Sequence, residues 1–91
     1  MGIFMEATTT HQRIQSLPQG YSEVAYRGSR YSVVRTDFNQ GKSLKVFAQN
    51  LGGTDFISFN YYLTAQSQLL KPCEMPRQKV LDFLHGYALI A

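Results

Sequence analysis

Polar and apolar positions alternate most regularly between residues 43 and 63. Leu44, Val46 and Ala48 share one parity and Lys45, Phe47 and Gln49 the other, the period-two pattern of a strand with one buried face. Past the Gly52-Gly53 step the pattern returns over Thr54 to Leu63. Ile57, Phe59, Tyr61 and Leu63 fall on one face; Phe56, Ser58, Asn60 and Tyr62 fall on the other. Upstream, Tyr21 to Arg27 and Arg30 to Thr36 read as two further strands. The Gly28-Ser29 step between them suits a type II′ turn, with Gly at the first central position. Asp37 to Gly41, rich in residues that tolerate left-handed backbone, is the next turn. A short run at Gln68 to Lys71 predicts a fifth strand at a sheet edge.

The period then changes. Pro76 suits a first helical position, where its missing N–H costs nothing, and Val80, Leu81, Leu84, Tyr87 and Ala88 recur at helical spacing. Gly86 is a candidate C-terminal cap. Residues 1–20 lack clear periodicity and are expected to form a mobile arm, with Ile14 and Leu17 lying against the domain. Residues 21–91 make up that domain. The predicted fold is α+β: an antiparallel meander of four to five strands with one C-terminal helix packed on one sheet face, β-β-β-β-(β)-α. The covered face should carry Leu44, Val46, Ile57, Phe59 and Tyr61 against Leu81 and Leu84.

Composition narrows the chemistry. Ninety-one residues make one domain with a modest core, which self-association would help. A hydrophobic fraction of 44% excludes a wholly disordered chain. The single cysteine, Cys73, cannot close an intramolecular disulfide. The two histidines, His11 and His85, lie far from it in sequence, so neither a thiol with its base nor a zinc site is expected. Gly52-Gly53 lacks the spacing and the lysine of a phosphate-binding loop. The six acidic residues, Glu6, Glu23, Asp37, Asp55, Glu74 and Asp82, form no close pair in the sequence. These absences point away from an enzyme and from any cofactor. No apolar run approaches the ~20 residues of a membrane helix. The N-terminus has no basic stretch and no long apolar stretch of the secretory kind, and Glu6 stands where a myristoylation signal wants Ser or Thr. The cytoplasm is the expected compartment.

The second sheet face holds the candidate site. Lys45 and Phe47 project there from one strand, Phe56 and Tyr62 from the next. Depending on register, Tyr31 and Arg35, or Tyr26, join them. A formal net charge of +3 favours an anionic partner. Rings beside cations on an open sheet suit single-stranded nucleic acid, since bases stack on rings and lysines neutralise phosphates. The same apolar face suits a second copy of the chain, giving a homodimer, or another protein. Arg27, Arg30 and Arg35 cluster in the first hairpin and read as solvated strand-edge residues, with a phosphate contact as the alternative.

Four antiparallel strands followed by one C-terminal helix, with the Lys71-Pro72 step ahead of that helix and an apolar stripe along it, resemble the single-stranded-DNA-binding domain of the PC4 transcriptional coactivator family. The likeness runs from about Arg30 to Tyr87. It implies a dimer that binds single strands along its sheets. The strand at Tyr21 to Arg27 is an addition to that pattern, and the chain is less basic than such a binder. No functional residue is carried over.

Overall fold

Alternation in sequence becomes alternation in burial. In the computed structural model, which describes residues 2–64 and 67–90 and only the backbone of residues 2–8, strand β3 (Ser43–Asn50) buries Leu44, Val46 and Ala48 and exposes Lys45, Phe47 and Gln49. Its neighbours repeat the rule. Strand β2 (Ser29–Phe38) buries Tyr31, Val33 and Arg35, and strand β4 (Phe56–Leu63) buries Ile57, Phe59 and Tyr61. Strand β1 (Gly20–Tyr26) and strand β5 (Gln68–Pro72) extend the sheet on either side, and a sixth strand, β6 (Ala88–Leu89), pairs with β1. The order is β5-β4-β3-β2-β1-β6 and every pairing is antiparallel. The architecture is therefore α+β with an antiparallel sheet, as expected, but with six strands and two α-helices among the described residues.

The turns set the registers. Between β1 and β2 the two loop residues are Arg27 and Gly28, both at positive φ (49° and 77°), so the loop is of the type I′ kind. The expected Gly28-Ser29 turn is displaced by one residue because Ser29 already pairs with Tyr26. Between β2 and β3, Asn39, Gln40 and Gly41 all take positive φ in a single 3₁₀ turn. That turn places Val34 opposite Phe47 and Arg35 opposite Val46.

The first helix, α1 (Gly2–Gln15), occupies most of the segment expected to be a mobile arm. Its Thr8-Thr9-Thr10 run is a poor helix former. Packing compensates, since Ile14 and Leu17 are completely buried and a short helix owes most of its stability to tertiary contacts. Arg35 completes the joint from beneath. Its guanidinium donates to the Leu17 carbonyl (2.6 Å) and the Gln15 carbonyl (3.3 Å), groups that the end of a helix leaves unsatisfied. Asp37 receives two more bonds from the same guanidinium, at 2.8 and 3.0 Å.

The second helix, α2 (Arg77–Gly86), starts just after Pro76, which is its N-cap. It buries Val80, Phe83 and Leu84, and Leu81 is only partly buried. The chain leaves the helix at Tyr87 (ψ 153°), whose ring is nonetheless buried. The apolar stripe therefore runs Val80, Phe83, Leu84, Tyr87. Ala88 belongs to β6, not to the helix, and pairs with Ala25. Phe83 lies among Tyr26, Tyr31 and Tyr87, with ring centroids 5.1, 5.8 and 5.7 Å away. Both helices lie on the same face of the sheet, which leaves the other face without a covering layer.

Candidate functional site

The uncovered face is organised in cross-strand rows. Strand register places Tyr21, Val34, Phe47 and Ser58 in one row, and Thr36, Lys45, Asn60 and Lys71 in the next. Phe38, Ser43, Tyr62 and Leu69 form a third, and Ser32, Gln49 and Phe56 a fourth on the far side. Seven large apolar side chains on these rows are exposed: Tyr21, Val34, Phe38, Phe47, Phe56, Tyr62 and Leu69. Phe47 and Phe56 stack on each other, centroids 5.9 Å apart and planes 26° from parallel. One ring surface of each is thereby used, and each ring still exposes more than a third of its area (40% and 38%).

The charges on this face are mostly positive. Lys45 and Lys71 occupy the second row, and neither takes part in an ion pair among the described residues. Of the strand positions on the face, the one carboxylate is Glu23, at the β1 side. Glu23 accepts a hydrogen bond from Tyr21 (2.7 Å) and pairs with Arg30 at 3.3 Å. The hydrogen bond to Glu23, followed by burial and the Glu23 charge, raises the Tyr21 hydroxyl above the ordinary phenol value.

Four of the six residues singled out from the sequence, Lys45, Phe47, Phe56 and Tyr62, share this face. Tyr31 and Arg35 do not. Both point to the helix-covered side, because the β2–β3 turn aligns them with the buried parity of β3. Tyr31 packs on Phe83 and donates to Asp55 (3.0 Å). Tyr26 is on the covered side too. The three arginines of the first hairpin likewise part company. Arg27 reaches Asp82 on α2 at 3.5 Å, Arg30 pairs with Glu23, and Arg35 is buried with Asp37. Sequence alternation alone assigned no face to Lys71 and Leu69, because a run of four residues fixes no parity.

Elsewhere the polar groups hold elements together. Asp55 accepts from Lys79 (2.6 Å) and from Tyr31, and the Lys79 bond chiefly holds its carboxyl below the ordinary value. His11 meets the Tyr61 hydroxyl at 2.8 Å, and His85 meets the Thr10 hydroxyl at 2.9 Å, so both histidines fasten α1. Cys73 is partly buried, with the Asn60 amide donating to its sulfur at 3.6 Å. Among the described residues, clefts open on the helical side. One, about 360 Å³, lies between Thr10, Tyr61, Arg77 and His85. Another, about 380 Å³, lies between Tyr31, Asp55, Lys79 and Asp82, where Lys79 and Arg27 balance the two carboxylates. Among the described residues no group of three or more His, Cys, Asp or Glu side chains could hold a metal ion. No helix among them is long and apolar enough to cross a membrane. The chain matches no protein-family model, no curated protein and no solved structure.

Proposed function

We propose that this chain is a non-catalytic binding module that holds single-stranded nucleic acid against the uncovered face of its sheet. The observation that supports it is the combination on one surface of stacked and exposed rings with lysines that no carboxylate neutralises. Stacking on a ring accepts any base, and an ammonium accepts any phosphate, so the surface would bind strands with little regard to sequence.

A homodimer formed through the same face is the second reading. Val34 and Leu69 favour it, because aliphatic side chains offer a base nothing that a ring does not and instead suit a dry protein interface. The two readings respond oppositely to salt. Strand binding weakens steeply as salt rises, through counterion release. Burying Lys45 and Lys71 of two copies together brings like charges close, so salt would strengthen the dimer.

Light scattering with and without an unlabelled oligothymidylate, over a salt series, tests both. The expected result is a complex that forms at low salt and dissociates as salt is added. Phe47→Ala should weaken it by about 1–3 kcal/mol at every salt concentration. No complex at low salt, together with a dimer that tightens with salt and is broken by Phe47→Lys with Phe56→Lys, would transfer the face to self-association.

A further inference from the structure

The second row of the uncovered face has a composition unlike its neighbours. Thr36, Lys45, Asn60 and Lys71 stand at directly paired positions on four adjacent strands, and none is apolar. The rows on both sides carry rings: Phe47 on one side, Tyr62 and Phe38 on the other. We infer that this row is the path of the sugar-phosphate backbone, which crosses the strands of the sheet with phosphates held between Lys45 and Lys71 and bases turned onto the flanking rings. The inference rests on the nucleic-acid reading above and adds to it a location and a direction.

Geometry supports the assignment. Neighbouring strands lie about 4.8 Å apart, so the Cα atoms of Lys45 and Lys71, with the Asn60 strand between them, are separated by about 10 Å. A lysine side chain is long enough to lean across half of that gap, so both ammonium groups can close on one phosphate lying above Asn60. Among the described residues no carboxylate stands in the row or in either flanking row; Glu23 lies one row further on, held by Arg30 and Tyr21. Asn60 and Thr36 add uncharged donors, the kind that bind phosphate oxygens without reading bases. The Asn60 amide is oriented by its contact with the Cys73 sulfur. Along the strands, successive rows on one face are two residues apart, about 6.7 Å, so a ring lies one row from the phosphate path on either side.

Strand β5 carries Lys71 but is sealed against a further strand, because Arg77 donates to the Leu70 carbonyl (3.1 Å) and Pro72 has no N–H to offer. A nucleic-acid strand crossing the sheet therefore passes over an edge that is closed to edge-to-edge protein pairing.

The test is fluorescence anisotropy with a labelled oligothymidylate across a salt series, on wild type, Lys45→Ala, Lys71→Ala, the double variant, Asn60→Ala and Lys42→Ala. Lys42 lies in the turn before β3, outside the row. Each row lysine should reduce the slope of log affinity against log salt by about 0.7, and the double variant by about 1.4, the single-strand value per phosphate. Asn60→Ala should lower affinity with the slope kept, and Lys42→Ala should leave the slope unchanged. If wild type binds and the double variant keeps its slope, the backbone runs elsewhere and the inference falls while the nucleic-acid reading stands. If Lys42→Ala lowers the slope as much as the row lysines do, attraction is diffuse and the path is equally overturned. If wild type does not bind at low salt, the reading falls and takes the path with it.

Discussion

Arg13 and Tyr87 hold each other three times. The Arg13 guanidinium carbon lies 3.9 Å above the centroid of the Tyr87 ring, and the Tyr87 hydroxyl donates to the Arg13 carbonyl. The same guanidinium donates to the carbonyls of Leu84 (2.6 Å) and of Tyr87, where α2 ends with its last carbonyls unsatisfied. A cation at a helix C-terminus also meets the negative end of the helix dipole. One side chain from α1 thus finishes α2. Arg13→Ala should cost about 2 kcal/mol, the scale of a charged hydrogen bond lost from a partly buried site. Arg13→Lys should recover little, because a point charge cannot reach two carbonyls and cover a ring together. Urea denaturation decides it, and a loss under about half a kcal/mol would mean that α1 does not brace α2.

Acid should loosen the joint beneath α1. Two hydrogen bonds from Arg35 chiefly hold the Asp37 carboxyl below its ordinary value of 3.8. A carboxyl depressed on folding contributes stability above its unfolded pKa and loses it as pH falls through the folded one. Asp55, depressed by Lys79, acts in the same direction. Asp37→Asn should therefore lower stability at neutral pH and flatten the decline on the acid side, with the two curves converging below the carboxylate range. Denaturation midpoints measured from neutral to strongly acid pH test this. Parallel curves would show that the Arg35–Asp37 pair carries no net stability.

Gly86 should resist replacement although it sits in a helix. Alanine there gains about 1 kcal/mol of helix propensity. Its Cβ, however, would lie 3.0 Å from the Tyr26 ring. That ring is fixed edge-on against Phe83 and Tyr31, at 5.1 and 5.7 Å between centroids, so it has little room to retreat. Overpacking costs about 1–3 kcal/mol. Gly86→Ala should come out destabilising by about 1 kcal/mol. A stabilised variant, seen as a raised thermal midpoint, would mean that Tyr26 yields.

Leu84 is completely buried between the helical layer and the sheet. Leu84→Ala should cost about 2–5 kcal/mol, and Leu81→Ala clearly less, because Leu81 is only partly buried. Equal losses at the two positions would place the apolar stripe of α2 on a different face.

The strands were readable because alternation over six residues leaves one solution, as in Leu44 to Gln49. The faces of β2 were not. Val33 and Val34 are adjacent and equally apolar, so composition shows no parity, and the register rests on how many residues the turn leaves unpaired. One more unpaired residue between Phe38 and Ser43 would have set Arg35 opposite Phe47 and brought it to the uncovered face. Arg35 is also a charged residue inside, a position that makes sense only once the carbonyls at the end of α1 are seen. Helix α1 escaped the sequence for a related reason. Its threonines disfavour a helix, and Ile14 within it and Leu17 just after it are too few to show a period. Strand β6 is two residues long, below what any pattern reveals.

The pairing of β6 with β1 bears on how the molecule assembles. Five strands follow one another in a meander in which each meets its neighbour in sequence, so those contacts close short loops and can form early. Among the strand pairings the β1–β6 ladder alone joins opposite ends of the chain, as the α1–α2 contacts do between helices, and it cannot close until the sheet and α2 have brought Ala88 alongside Ala25. Its hydrogen bonds, among them Ile90 N–H to the Glu23 carbonyl (2.9 Å), should accordingly be the last to form and the first to open. In amide exchange, Ile90 should lose its protection while Val46 and Phe59 in the centre of the sheet keep theirs, which makes the rim beside β1 a latch that opens without disturbing the face across the sheet.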